Sequence, residues 1–109
     1  MQLEVKGRNV EVNDSLRSYA ERKLARLDKQ LRAEVPVAVQ LSAEKNPSIP
    51  AKQVAEATVQ LKGRVVHAKA AAPDMKAAID ELADKLVRQV KETREKRSSI
   101  WKRKSRQVE

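Results

Sequence analysis

One histidine, no cysteine and two closely spaced aspartates make up most of what this 109-residue chain offers for catalysis or metal binding. His67 falls on the polar phase of a predicted strand, with no Ser, Cys or second His in the surrounding pattern to complete a nucleophile–base pair or a metal cluster. Asp80 and Asp84 stand four apart on a predicted helix and have the spacing to share a metal. The same stretch, however, reads as acid-then-base pairs, Glu81 to Lys85 and Asp84 to Arg88, at the spacing that stabilises a helix. The salt-bridge reading is the simpler one. Glycine occurs only at Gly7 and Gly63, so no glycine-rich loop can cradle a phosphate. The expectation is a protein that is not an enzyme, with no metal, no cofactor and no small-molecule substrate.

Basic side chains supply the remaining chemistry. Arg22, Lys23, Arg26 and Lys29 fall at helical spacing beside one apolar stripe, and Lys85, Arg88 and Lys91 do the same beside another. Two helices on one side of a sheet would lay these rows next to each other as a strip that neutralises several phosphates. Acids are interspersed (Glu21, Asp28, Asp84, Glu92, Glu95), so an ordinary solvated helix face is the competing reading. Tyr19 and Trp101 are the only aromatics. That scarcity argues against a base-stacking platform and for recognition of the backbone and shape of folded RNA. Trp101, beside Lys102 and Arg103, is placed either to stack on a base or to anchor the end of a helix.

The elements that must position these rows follow from periodicity. Residues 2–6 alternate polar and apolar, with Leu3 and Val5 on one face and the phase returning in Val10 and Val12, which predicts a first strand. Asn13 or Asp14 can cap the next element, where Leu16, Tyr19, Ala20, Leu24, Leu27 and Leu31 predict an amphipathic helix of about five turns. The odd positions from Val35 to Ala43 and from Ala55 to Leu61 are apolar, giving two half-buried strands. Between them the run Asn46-Pro47-Ser48-Ile49-Pro50 predicts an extended loop. Lys62-Gly63 marks a tight turn into a fourth strand, with Val66, Ala68 and Ala70 facing one way and Val65, His67 and Lys69 the other. Pro73 is expected in the first turn of a last helix, with Asp74 at its positive end and Met75, Ala78, Ile79, Leu82, Leu86 and Val90 as its apolar stripe. The order is β-α-β-β-β-α. An antiparallel sheet with one apolar face, covered there by both helices, makes a two-layer α+β domain.

At 109 residues the chain is expected to be one folded domain. Charged residues make up 36% of it, against about 25% in typical soluble domains, and the net charge of +9 points to a polyanionic partner. Residues 85–109 hold ten basic and three acidic groups, so most of the excess lies at one end. The division expected is a folded domain over residues 1–97 and a basic, disordered tail over 98–109, which serves either to attract phosphate or merely to solubilise. The absence of cysteine fits a reducing compartment. No apolar run has the roughly 18 residues of a membrane span, and the first residues lack the pattern of a signal peptide. A cytoplasmic protein without a membrane partner is expected.

Several stretches resemble the ribosome hibernation-promoting factors, the family that includes ribosome-associated inhibitor A. They are Met1 to Val12, Lys23-Leu24-Ala25-Arg26-Leu27, Glu56 to Gly63 with Val66-His67-Ala68, and most specifically the run from Asp74 to Gln89. The resemblance extends to about residue 97. It implies a fold like that of double-stranded RNA-binding domains. It also implies binding to the small ribosomal subunit and its 16S rRNA, and to whole ribosomes, in the channel used by messenger and transfer RNA. Translation would then be silenced in stress or stationary phase. Lys23, Arg26, Lys85, Arg88 and Lys91 are the RNA contacts it carries over, while Arg22 and Lys29 join them on helical geometry alone. A general structured-RNA-binding module or a ribosome-dimerising domain is the alternative. Three features depart from the family pattern: Lys76 stands where Tyr is usual, Glu92 where a base is common, and the tail is basic.

Overall fold

Alternating apolar residues become the buried face of a four-stranded sheet in the computed structural model, which describes residues 1–44 and 53–107, with side chains as far as Thr93. The strands are β1 (Gln2–Arg8), β2 (Pro36–Ala43), β3 (Gln53–Leu61) and β4 (Arg64–Ala72), side by side in the order β1-β2-β3-β4. β2, β3 and β4 form the expected antiparallel meander. β1, however, runs parallel to β2, pairing Leu3 with Val37 and Val5 with Val39. The sheet is therefore mixed rather than antiparallel. The helix between β1 and β2 carries the chain back to the end from which it started, and adjacent strands joined by such a crossover run parallel.

The first strand ends at Arg8 and does not continue to Val12. Asn9 adopts a φ of 62°, a left-handed conformation that Asn tolerates better than most residues, and Val10 and Val12 then pack at the edge of the core. A β-carbon on Gly7 would collide with the Val10 carbonyl oxygen and come within 2.9 Å of the Val12 side chain, so the return of the chain depends on glycine there. The Lys62-Gly63 turn forms as expected, with Leu61 opposite Arg64 and Gly63 at φ 76°. The proline-rich loop expected around Asn46 to Pro50 lies outside the described residues.

Asn13 caps α1 (Asp14–Leu24) by accepting the Leu16 N–H at 2.8 Å. The helix is shorter than the apolar spacing suggested. It passes into a 3-10 helix over Ala25–Lys29, closed by Gln30 and Leu31 N–H groups that both donate to Leu27 O. Three-residue steps such as Leu24 to Leu27 fit either helix type, so periodicity could not separate them. α2 (Met75–Gln107) begins after Asp74, whose carbonyl accepts from Ala78 N and whose carboxylate accepts from Ala77 N. Asp74 is thus the cap and Pro73 lies outside the helix, whose first residue comes two positions after the proline. The helical backbone runs on to Gln107, so the division expected at residue 97 falls inside an element.

Both helices lie on one face of the sheet. Leu24, Leu27, Leu82, Leu86 and Val90 meet Val37, Leu41 and Val59 there, all fully buried, and no polar or charged side chain is buried with them among the described residues. Arg17 ties α1 to the sheet through a 3.1 Å bond to the Val5 carbonyl. Burying each Leu of this set contributes roughly 1.5–3 kcal/mol. This packing fixes where the polar faces of the two helices point.

Candidate nucleic-acid interface

Three bonds join α1 and its 3-10 extension to α2. Tyr19 donates its hydroxyl proton to Asp80 Oδ1 at 2.7 Å, Lys23 Nζ lies 3.6 Å from the same oxygen, and Arg26 Nη1 donates to Asp84 Oδ1 at 2.6 Å. Contacts advance along both chains together, so the helices run side by side in the same sense. The carboxylates of α2 therefore face the basic row of α1. This replaces one expected intrahelical pair, since Asp84 engages Arg26 of the neighbouring element and not Arg88.

The seven basic residues do not form one continuous strip. Lys23 and Arg26 are drawn into the groove by Asp80 and Asp84. Arg22 and Lys29 are exposed beside them, with no carboxylate partner among the described residues, and Lys29 lies at the edge of an open cleft with Arg32, Lys62 and Thr93. Arg88 and Lys91 are exposed, likewise unpaired among the described residues, and helical spacing puts them on the line that extends Asp84 along α2. Lys85 is set apart. It turns to the other flank of α2, where its ammonium donates to the Lys69 carbonyl of edge strand β4 at 2.9 Å instead of pairing with Glu81.

Tyr19 and Lys76 were not among the expected contacts, yet they organise one end of the groove. The cationic ends of Arg22, Lys23 and Lys76 each lie 5.4 Å from the centre of the Tyr19 ring. The hydrogen bond to Asp80, followed by desolvation and the charge of Asp80, raises the Tyr19 pKa above its ordinary 10.0. The sequence signal was present in the steps Tyr19 to Lys23 and Lys76 to Asp80, both i to i+4. What it lacked was the pairing of the two helices.

On the open face of the sheet, Thr58 Oγ1 lies 3.1 Å from His67 Nδ1, and His67 Nε2 lies 3.8 Å from Glu56. Thr58 and His67 are cross-strand partners, which sequence spacing alone did not pair. No group of three metal-ligating side chains is found among the described residues, and no helix among them is long and apolar enough to cross a membrane. The side chain of Trp101 lies outside the described set.

Comparison with known proteins adds a second line of argument. Residues 3–98 match the family model described as sigma 54 modulation protein / S30EA ribosomal protein. The chain is 43% identical over 100 residues to a ribosome hibernation promoting factor of Pseudomonas putida, covering 92% of this chain and 93% of that one. It is 38% identical over 96 residues to the factor of the same name from Escherichia coli K12, covering 88% and 96%. Among solved structures, the N-terminal domain of Thermus thermophilus Protein Y superposes with a TM-score of 0.73 at 38% identity, over 85% of this chain and 99% of that one. A ribosomal subunit interface protein from Coxiella burnetii superposes at 0.72 and 26% identity, over 86% and 98%.

Proposed function

Because the chain belongs to the sigma 54 modulation protein / S30EA ribosomal protein family, we propose that it is a ribosome hibernation factor acting by occupation and not by chemistry. It binds the small subunit in the channel used by messenger and transfer RNA, through 16S rRNA, and so holds the ribosome silent in stress or stationary phase. Its place of action is the cytoplasm, where ribosomes are. Residues 1–97 form the ribosome-binding unit, and the basic residues beyond them add attraction for the RNA.

The observation that carries the mode of binding is the side-by-side pair of helices with Arg22, Lys29, Arg88 and Lys91 exposed on them without carboxylate partners among the described residues. Arg and Lys in that setting form charge-assisted bonds to phosphate oxygens. Lys23 and Arg26 contribute by dividing their N–H donors between the groove carboxylates and RNA. Lys85 is held to the sheet edge by its bond to the Lys69 carbonyl, away from the groove, and contributes less. Contacts of this kind position the protein on folded RNA by shape, in keeping with a surface that offers one aromatic ring among its described side chains.

The test is co-sedimentation with isolated small subunits and with whole ribosomes over a salt series, with and without tRNA in the peptidyl site. One-to-one saturable binding that tRNA displaces is expected. Unsaturable binding that disappears at modest salt would mean that the net charge of +9 acts without a site. Equal affinity for any RNA duplex would instead make this a general RNA-binding module.

A further inference from the structure

We propose that Tyr19 gathers Arg22 and Lys76 into a phosphate-binding site at the head of the inter-helix groove, and that its ligand is a phosphodiester of structured RNA. The inference rests on the ribosome-binding reading and adds to it a contact, Lys76, and a positioning residue, Tyr19.

The geometry is a ring with three cations around it, each 5.4 Å from its centre. Attraction to the ring face holds cations near one another without neutralising them. Asp80 and Asp74 are the nearby acids. Asp80 accepts the Tyr19 hydroxyl and pairs with Lys23, and Asp74 accepts the Ala77 N–H as the cap of α2. Arg22 and Lys76 are left exposed, with no carboxylate partner among the described residues. Like charges set around one ring repel, and a phosphate drawn to either of them lowers that repulsion. Lys76 is also the second residue of α2, where the helix dipole adds positive potential.

Phosphate fits better than a protein carboxylate. Arg22 presents a planar fork that takes two phosphate oxygens, and Lys76 supplies a mobile point charge beside it. Both lie at the same end of the groove as Lys23, so a backbone that contacts Lys23 and Arg26 continues onto them. The ring does not need to touch RNA. It sets the position of the two cations by its face, and the hydroxyl bond to Asp80 is an addition that the site does not require.

The experiment measures ribosome co-sedimentation of the full chain over a salt series for the wild type, Lys76→Gln, Arg22→Gln, Tyr19→Phe, Tyr19→Leu and, as a control on the open sheet face, Lys6→Gln. Lys76→Gln and Arg22→Gln are each expected to reduce the slope of log affinity against log salt by about one, while Lys6→Gln leaves it unchanged. Tyr19→Phe keeps the ring and is expected to keep the slope. Tyr19→Leu is expected to lower it by about one to two, the share of Arg22 and Lys76, with a far-ultraviolet spectrum unaltered from the wild type. A Lys76→Gln slope equal to that of the wild type overturns the site and leaves the ribosome-binding reading standing. A wild type that fails to sediment with ribosomes overturns that reading, and the same series on a synthetic RNA hairpin then decides the phosphate site alone.

Discussion

Arg26 and Asp84 are bonded at 2.6 Å across the two helical elements, and both side chains are more than half exposed, at 52% and 72%. An ion pair so placed is worth about 0–1 kcal/mol to the fold. Its larger consequence is for binding, because part of the charge of Arg26 is already answered before any phosphate arrives. Asp84→Ala is therefore expected to change stability in urea by less than about 1 kcal/mol while tightening ribosome binding and steepening its salt dependence. Weaker binding by this variant would show that Asp84 orients Arg26 for RNA and does not compete with it.

Lys85 and Arg88 are expected to separate by assay. Lys85→Ala removes the bond to the Lys69 carbonyl on an edge strand and is expected to cost about 0.5–1.5 kcal/mol of stability, with little loss of ribosome affinity. Arg88→Ala is expected to leave stability within about 0.5 kcal/mol of the wild type and to weaken binding, lowering the salt slope by about one. Denaturant titration and co-sedimentation on the same two variants check both halves.

Tyr19 is the only tyrosine of the chain, so its ionisation can be followed without interference from another phenol. The folded pKa lies above the ordinary 10.0 because the hydroxyl donates to Asp80. A raised folded pKa means that the stabilising effect is fully present below pH 10 and is lost as pH climbs through the folded value. The phenolate absorbance of the native protein is expected to rise at higher pH than that of the urea-unfolded chain. The stability difference between wild type and Tyr19→Phe should be constant near neutrality and shrink above pH 10. Coincident native and unfolded titrations would show that the Tyr19–Asp80 bond does not persist in solution.

Much of this architecture was legible in the sequence, because burial on a two-layer domain imposes periods of two and of three to four. Val37, Val39 and Leu41, then Ala55, Ala57 and Val59, then Met75 through Val90 are buried as their spacing required. Relations between elements were less legible. Nothing in the alternation of Leu3 and Val5 says that β1 runs parallel to β2, since direction is set by the crossover and not by the strand. Nor does the row from Arg22 to Lys29 reveal that Asp80 and Asp84 will face it. Helical spacing predicts two rows of cations for the candidate site. In the structure Lys23 and Arg26 meet acids, Lys85 turns to the sheet edge, and Lys76 joins Arg22 at Tyr19. Each of these is a long-range pairing that helical periodicity leaves undetermined.

Gly7 links the sheet to the site. Beyond it Arg8 ends β1 and Asn9 turns the chain, and the return through Val10 and Val12 leads to the Asn13 cap that starts α1, and with it the row from Tyr19 to Arg26. An alanine β-carbon at this position would press against the Val10 backbone carbonyl and lie 2.9 Å from Val12 Cγ2. A backbone carbonyl cannot swing aside as a flexible side chain can, so the turn itself must shift. Gly7→Ala is expected to destabilise the fold by about 1–3 kcal/mol, the usual cost of forcing an extra carbon into a packed region. The Arg17 bond to the Val5 carbonyl holds α1 against the sheet independently of this turn, so the folded fraction should still bind ribosomes with the wild-type salt slope. Denaturant midpoints and co-sedimentation measured together check this. A Gly7→Ala protein of unchanged stability would show that the turn relaxes freely, whereas a lost salt slope at full folding would show that the turn sets the register of α1 against α2.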